Sequence, residues 1–281
     1  MKIAFLGNAN GGSGVTSNLA CISIISALEY ASKAVLMENH NQKNKLENVL
    51  QYNMANYHLR EEFNYHYKHI GMNYIINQLS KKNSLAGDES ASQLIQEASI
   101  EILNNYLYYI PQTHENNSYI YDYDLYGHIH DILKALDDFA DITYIDTSSS
   151  NNLSTKIILD SADLIVVNLM QNVADIEYFF KNYSSILSKC VFLISSYHKE
   201  SRLNIHNISK KNLISKSSIA AIPYNVEYQD AVLKGTIVEF LFCNFACKRS
   251  SPNYSFVRAV RKAAYMIMQN INSVRQKEAC Q

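Results

Sequence analysis

A glycine-rich stretch, GNANGGSGVTS at residues 7–17, contains residue types that can bind phosphate. It follows an apolar run at residues 3–6 and leads into residues 18–28, whose apolar spacing predicts a helix. Glycines permit a turn tight enough for several N–H groups and a helix N-terminus to converge on one anion. The sequence therefore predicts a strand, a phosphate-binding turn and a helix. The candidates for binding a nucleotide are Asn10, Gly11, Gly12, Ser13, Gly14, Val15, Thr16 and Ser17.

Two carboxylates are placed to support metal binding near this loop. Residues 34–37 form an apolar run that ends at Glu38, and residues 142–145 form another that ends at Asp146. Ligands of parallel sheets bind at the carboxyl ends of the strands, so both carboxylates are expected beside the glycine-rich loop. Mg²⁺ prefers oxygen ligands, which hydroxyl and carboxylate groups provide. Thr16, Glu38 and Asp146 are therefore the candidate Mg²⁺ ligands.

Strand-like and helix-like patterns alternate along the rest of the chain. This alternation predicts an α/β fold, a doubly wound and mostly parallel sheet with helices on both faces. We expect one domain over residues 1–281 with an amphipathic helix at about residues 255–275. Residues 119–124 are expected to form a loop. Further strands are predicted at residues 106–110, 164–167, 191–194 and 219–222, and further helices at residues 72–79, 92–103, 129–139 and 176–187.

The cysteines and the apolar segments predict where the protein is found. Five cysteines, odd in number and scattered, favour a reducing cytosol over a disulfide-bonded scaffold. No stretch approaches the ~18 apolar residues of a membrane span. We therefore expect a cytoplasmic protein, with peripheral attachment to the inner face of the membrane as an alternative. Cys243 and Cys247 lie one helical turn apart, but no second pair has zinc-binding spacing, so they are expected to be buried thiols.

Charge is distributed unevenly although the net charge is only −1. From Lys199 onward there are 13 Lys and Arg residues against 5 Asp and Glu residues, whereas the first 198 residues have 12 against 21. A basic C-terminal third can face an anionic partner, either DNA or an acidic membrane. The alternative is ordinary solvated charge with no partner.

Taken together, these motifs resemble the ParA/MinD group of P-loop ATPases, whose phosphate-binding loop is the deviant Walker A motif. Residues 10–17, NGGSGVTS, are similar to the family's KGGxGKT loop and the Ser or Thr after it. Residues 38–42, ENHNQ, are similar to its DxDxQ segment, and residues 142–149, ITYIDTSS, to its Walker B segment ending in DTPP. Residues 162–167, ADLIVV, are similar to its ADxVxVV strand. The resemblance covers nearly the whole chain and implies the fold predicted above.

The resemblance also implies a place for the nucleotide base. Residues 222–225, IPYN, are similar to the family's IPYD segment, where the base is commonly held, so Pro223 and Tyr224 are added to the nucleotide-binding candidates. Ser195 and Ser196 stand where the family often has an asparagine that reads adenine.

Four further positions, around the phosphates and the metal, depart from the family's pattern. Asn10 replaces the lysine that reaches across the family's dimer to the partner's phosphates. Val15 replaces the lysine on the β- and γ-phosphates, and His40 replaces the aspartate that helps to position the attacking water. Glu38 conservatively replaces the first aspartate of DxD. A hydrogen bond to a charged group is worth roughly 1.5–3 kcal/mol, so the loss of two lysines weakens triphosphate binding by about 10²- to 10⁴-fold.

The resemblance thus predicts a homodimer that binds ATP and Mg²⁺ weakly or not at all and hydrolyses ATP little or not at all. Family members position larger assemblies, and the atypical loop is most similar to the TadZ-type branch, which localises pilus machinery. We therefore expect protein partners in a cell-envelope or pilus assembly. The alternatives are a DNA-associated partition protein and a slow but genuine ATPase whose lysine is supplied by Lys43 or Lys45.

Overall fold

The computed structural model describes residues 1–7, 12–40, 45–50, 70–81, 88–112, 118–147 and 152–278. The strands within these ranges are β1 (Lys2–Gly7), β2 (Ala34–Glu38), β3 (Ile100–Leu103), β4 (Leu107–Tyr109), β5 (Ile142–Asp146), β6 (Leu164–Leu169), β7 (Cys190–Tyr197) and β8 (Ile219–Pro223). The α-helices are α1 (Val15–Tyr30), α2 (Lys45–Leu50), α3 (Met72–Lys81), α4 (Asp88–Ala98), α5 (Ser118–Phe139), α6 (Leu153–Ser161), α7 (Val173–Asn182), α8 (Ile205–Lys211), α9 (Val226–Lys234), α10 (Ile237–Asn244) and α11 (Tyr254–Glu278).

The strands of the described residues form one sheet in the order β3-β4-β2-β5-β1-β6-β7-β8. Every neighbouring pair is parallel except β3 and β4, which are antiparallel. The α/β prediction of a mostly parallel, doubly wound sheet is thus confirmed. The connection after β1 leads to β2, on one side of β1. The connection after β5 passes β1 and leads to β6, on the other side of β1. Such a reversal of strand order opens a crevice at the carboxyl ends of the strands.

Each central strand is buried on both of its faces. In β1, Ile3 and Phe5 point into one core with α1 and α11, whereas Ala4 and Leu6 point into a second core with α5. Successive side chains of a strand alternate between faces, so a sheet covered by helices on both sides needs apolar residues at consecutive positions. This burial accounts for the continuous apolar runs in the sequence.

The C-terminal helix α11 packs its apolar stripe into the first core. Val260, Ala263 and Ile267 are fully buried, and the helix lies against β8 and α1. Arg258 and Lys262 lie on its exposed side. This helix covers the residues where the amphipathic helix is expected, and its apolar face is covered by protein. Among the described residues, no helix has the length and apolar character needed to cross a membrane.

Two predictions for the β2 side of the sheet are wrong. The helix predicted at residues 92–103 ends at Ala98, and residues 100–103 form β3 instead. Its alternating IEIL sequence pairs antiparallel with β4, a tertiary contact that helical periodicity does not reveal. Residues 119–124, predicted as a loop, lie inside α5, where Tyr121 extends the buried stripe of that helix by two turns.

Two further differences are local. The helix predicted at residues 176–187 begins earlier, at Val173, and its α-helical part ends at Asn182; a 3₁₀-helix follows at Ser184–Lys189. Cys243, expected to be a buried thiol, is exposed, and Cys247 is partly buried.

Candidate functional site

The register of the sheet brings the two predicted carboxylates together. Glu38 ends β2 and Asp146 ends β5, and they are direct partners in the parallel pairing of these strands. Asp146 also pairs with Phe5 of β1, so β1 runs into the glycine-rich loop beside it. The carboxyl ends of β2, β5 and β1 therefore meet at one edge of the sheet, as the sequence predicted.

The described part of the glycine-rich loop leads directly into α1. Gly12 and Gly14 have φ angles of +75° and +72°, a conformation that other residues rarely adopt. Gly14 is the N-cap of α1, and its carbonyl accepts a hydrogen bond from the Asn18 N–H at 2.9 Å. Asn10 and Gly11 lie outside the described residues. The N-terminus of α1 opens at the loop, which is the arrangement that binds an anion.

Thr16 is hydrogen bonded to Asp146 in this arrangement. Its hydroxyl donates to Asp146 Oδ2 at 2.6 Å, across 130 residues of sequence. A hydroxyl and a carboxylate at this separation are within reach of one hard cation, so this donor pair fits Mg²⁺. Val15, the first residue of α1, is partly buried and packs against the core below. Ser17 donates back to the Gly14 carbonyl at 3.2 Å.

His40 lies between the two carboxylates. Its Nε2 is 3.5 Å from Asp146 Oδ2 and 3.7 Å from Glu38 Oε1. The three side chains, which we call the carboxylate–histidine cluster, are buried, with Glu38 0% and Asp146 2% exposed. Burial raises the pKa of Glu38 to about 7, against a smaller opposing effect of His40. A negative charge at Glu38 is therefore costly unless a cation balances it.

Glu38 is held by groups that the sequence did not indicate. Its Oε1 accepts the Leu46 N–H at 3.0 Å, and its Oε2 accepts the Tyr109 hydroxyl at 2.8 Å. Tyr109 ends β4, the strand next to β2, and Leu46 lies in α2. The sheet brings Tyr109 to Glu38 and the start of α2 brings Leu46, and no local sequence pattern marks either partner.

A buried polar network ties the loop to β6 and β7. The Asn18 amide donates to Asn168 Oδ1 at 2.9 Å and to Ser195 Oγ at 2.8 Å. Ser195 in turn donates to the Ser13 carbonyl at 2.6 Å. Asn168 interrupts the otherwise apolar segment LIVVNL, a signal that sequence analysis could have used. The network fixes Ser13 and Gly14 relative to the sheet.

Next to Ser195, the backbone is irregular. Ser196 has a φ angle of +47°, and the β7–β8 register shifts between Ile194 and Tyr197. Backbone in such a sparsely populated region is often found at functional sites. Here the irregularity lies at the carboxyl end of β7, at the edge where the loop lies.

Pro223 and Tyr224 lie at the same edge of the sheet, at the end of β8. Pro223 is the last residue of the strand, and Tyr224 follows it with its side chain 52% exposed. The Tyr224 ring stacks on His198, with 6.5 Å between ring centroids and a 20° interplanar angle. The sequence did not indicate His198. These exposed rings offer a stacking surface for a planar group.

No protein-family model and no curated protein matches this chain, but solved structures do. A ParA family ATPase from Chlorobium tepidum TLS superposes with a TM-score of 0.68 and 15% identity, covering 94% of this chain and 98% of its own. The septum site-determining protein MinD of Pyrococcus horikoshii OT3, complexed with Mg-ADP, gives 0.64 and 14%, with 95% and 96% coverage. A protein of Borrelia burgdorferi B31 assigned to plasmid partition and bound to AMPPNP gives 0.59 and 15%, with 99% of both chains covered.

These similarities establish the fold over nearly the whole length of the chain. At 15% identity or less they do not establish which residues act, so the roles of the site residues rest on the geometry described above.

Proposed function

We propose that this chain is a ParA/MinD-type P-loop protein that binds ATP and Mg²⁺ weakly, hydrolyses ATP little or not at all, and works as a homodimer that positions a larger assembly. The Thr16–Asp146 hydrogen bond at the mouth of the glycine-rich loop is the observation that carries this proposal. It joins the phosphate-binding turn to the strand end where a metal ligand belongs.

The loop supports nucleotide binding through groups that need no lysine. Backbone N–H groups at the N-terminus of α1 would bind phosphate oxygens, and Thr16 and Asp146 would hold Mg²⁺. A bound Mg²⁺ would neutralise charge on the phosphates. The neighbouring folds from Pyrococcus horikoshii and Borrelia burgdorferi were solved with Mg-ADP and AMPPNP.

The base is proposed to stack on Tyr224 next to Pro223, with His198 extending the aromatic surface. Tyr224 and His198 follow two neighbouring parallel strands, at the sheet edge that the loop also occupies. Stacking on an aromatic ring accepts any base, so this contact adds affinity without selecting adenine.

Weak hydrolysis follows from what Val15 and His40 cannot do. Val15 brings no charge to the phosphates and packs into the core instead. The imidazole of His40 lies next to the carboxylates of Glu38 and Asp146. It therefore offers no carboxylate that could orient an attacking water molecule. Charge that develops in phosphoryl transfer would lack both stabilising groups.

The cellular role is drawn from the resemblance of the motifs. A positioning factor for a cell-envelope or pilus assembly, of the TadZ type, suits a P-loop protein that has lost its loop lysines. A DNA-associated partition protein is the second candidate, since Arg258 and Lys262 are exposed on α11. A slow ATPase that draws its lysine from Lys43 or Lys45 is the third; Lys43 and the side chain of Lys45 lie outside the described residues.

Calorimetry with ATP and Mg²⁺ tests the binding site directly. We expect saturable heat at high ATP concentration, reduced in Asp146→Ala and unchanged in the matched variant Asp160→Ala, which alters an exposed carboxylate on α6. Sedimentation with and without ATP measures the dimer, and phosphate release measures hydrolysis. No heat in the wild type would sink the nucleotide part of the proposal. Phosphate release abolished by Asp146→Ala would instead show a working ATPase.

A further inference from the structure

The carboxylate–histidine cluster has the composition and shape of a transition-metal site. We propose that Glu38, His40 and Asp146 bind a divalent transition metal of the Zn²⁺ type, through one imidazole nitrogen and two carboxylate oxygens. One ligand atom from each side chain lies within 4.8 Å of the other two. The proposal goes beyond the nucleotide function, because the site is complete without a phosphate.

The imidazole is the feature that sets the metal preference. Mg²⁺ takes oxygen ligands almost exclusively, whereas neutral imidazole suits Zn²⁺ and its first-row neighbours. A set of three protein ligands, with one position left for water or substrate, is the usual pattern of a reactive zinc site. Because His40 brings a nitrogen ligand to this pocket, the preference of the pocket moves away from Mg²⁺.

The separations between His40 and the two carboxylates also fit a tetrahedral metal. Ligands at about 2.0–2.2 Å from a tetrahedral zinc are about 3.3–3.6 Å apart. His40 Nε2 is 3.5 Å from Asp146 Oδ2 and 3.7 Å from Glu38 Oε1. Adjacent ligands of an octahedral Mg²⁺ would be closer, about 2.9 Å apart. The two separations that involve His40 therefore need little or no contraction to fit the tetrahedral ion, and the Glu38 and Asp146 oxygens lie within 4.8 Å of each other.

The two carboxylates are already oriented by their own partners. Glu38 accepts hydrogen bonds from the Leu46 N–H and the Tyr109 hydroxyl, and Asp146 accepts one from Thr16. Outer contacts of this kind orient metal ligands and raise affinity. Glu38 and Asp146 are also neighbours on adjacent strands of the sheet, so the backbone beneath the site is rigid.

Charge balance favours a dication at this point. Glu38 and Asp146 are 0% and 2% exposed, and a buried carboxylate is costly unless it is paired. Val15 contributes no positive charge at the neighbouring loop position where a lysine would stand. A divalent metal neutralises both carboxylates, whereas one imidazolium neutralises only one of them.

Titration of the metal-stripped, nucleotide-free protein with Co²⁺ tests the proposal. Co²⁺ absorbs visible light more strongly in a tetrahedral than in an octahedral site, and Zn²⁺ should displace it whereas excess Mg²⁺ should not. We expect one Co²⁺ per chain in the wild type and in His130→Gln, a matched variant at an exposed histidine of α5. We expect His40→Gln to lower Zn²⁺ affinity by more than about 100-fold, since loss of an outer contact alone costs 10- to 100-fold.

Asp146→Asn provides a second variant in case His40→Gln does not fold, as judged by circular dichroism. An absorption band that persists in either folded variant, or a wild type without saturable binding, overturns the proposal. Because no nucleotide is present, these outcomes are distinct from those of ATP calorimetry. Failure of the metal site leaves the nucleotide proposal standing, and the reverse is also true.

Discussion

Val15 and His40 both stand where the ParA/MinD pattern, which the motifs resemble, has charged groups, but the two positions have different surroundings. Val15 is the first residue of α1. It has no charge to offer a phosphate, and it makes apolar contacts with the core instead. His40 lies between two buried carboxylates, where it replaces a negative group by a nitrogen ligand. We therefore expect the first replacement to weaken phosphate binding and the second to change which cation the pocket prefers.

Restoring the lysine at position 15 should strengthen nucleotide binding. A hydrogen bond to a charged group is worth roughly 1.5–3 kcal/mol, so Val15→Lys should raise the affinity for ATP and Mg²⁺ by about 10- to 100-fold. Calorimetry of the variant against the wild type measures the change.

Val173→Lys is the matched control, because Val173 is also the first residue of a helix, α7, and is exposed. It should bind ATP as the wild type does. Equal affinity of Val15→Lys and the wild type would mean that the loop does not bind the phosphates.

At the scale of single residues, sequence analysis found the groups that local patterns mark. Glu38 and Asp146 end apolar strands, and Thr16 lies in the first turn of the helix that follows the glycines, so their type and position could be recognised. Tyr109 and Ser195 could not be assigned a role, because each acts through a contact with a residue far away in sequence, 71 residues for Tyr109 with Glu38. Whether the recognised residues bind a nucleotide stays a prediction.

At the scale of elements, burial decided which parts could be predicted. Central strands such as β1, β5 and β6 are buried on both faces and have continuous apolar sequences, which identify them without structural information. In the edge strand β3, one residue is exposed and the others are partly buried. Its neighbour β4 supplies the pairing that makes it a strand. The start of α5 was missed because Tyr121 is buried through tertiary contacts that its polar sequence neighbours conceal.

The network that joins α1 to β6 and β7 should contribute measurably to stability. Asn18→Ala leaves Asn168 and Ser195 without the amide that both accept from, and an unsatisfied buried polar group costs about 1–3 kcal/mol. The variant should lose about this much free energy of unfolding in urea.

Asn182→Ala removes an exposed asparagine whose amide donates to the Tyr178 carbonyl of its own helix α7, and should cost less than about 0.5 kcal/mol. If the two variants were equally stable, the network would not hold the loop against the sheet.

The cysteines of the described residues should differ in reactivity according to their elements. Cys21 lies in the middle of α1 and is fully buried, and this burial raises its pKa to about 12. Cys243 is exposed on α10. Because the thiolate is the reactive form, iodoacetamide at pH 8–9, as an approximate working range, should modify Cys243 and leave Cys21 unmodified in the folded protein.

Mass spectrometry of the alkylated protein identifies the modified residue. In urea both thiols should react, which serves as the positive control. Rapid modification of Cys21 without denaturant would show that α1 opens locally, and would weaken the description of a rigid helix below the loop.

At the scale of the whole molecule, the two faces of the sheet are covered and the basic C-terminal third presents its charge on the outside. Arg261 of α11 is paired with Glu29 of α1 and lies over the Phe245 ring, at 4.9 Å from its centroid. Arg258 and Lys262 remain on the exposed side. Any anionic partner of this helix therefore meets its charged side, since the apolar side is buried in the core.

The position of α11 leads to a prediction that separates a core helix from a membrane-binding helix. Ile267 is 0% exposed in the first core, so Ile267→Ala should lower the free energy of unfolding by about 2–5 kcal/mol. Tyr265 lies on the same helix but is 55% exposed, so Tyr265→Ala should change it by about 0.5 kcal/mol or less. Urea unfolding of the two variants gives both values.

Vesicles that contain acidic lipids complete this test. A helix held in the core binds them only through exposed Lys and Arg side chains, so high salt should abolish any binding. A helix that leaves the core to insert into lipid would give the opposite pair of results: Ile267→Ala would leave stability nearly unchanged, and vesicle binding would resist salt. Since β8 and α1 both pack on α11, its release would expose the first core, and the molecule should unfold before the helix reaches a membrane.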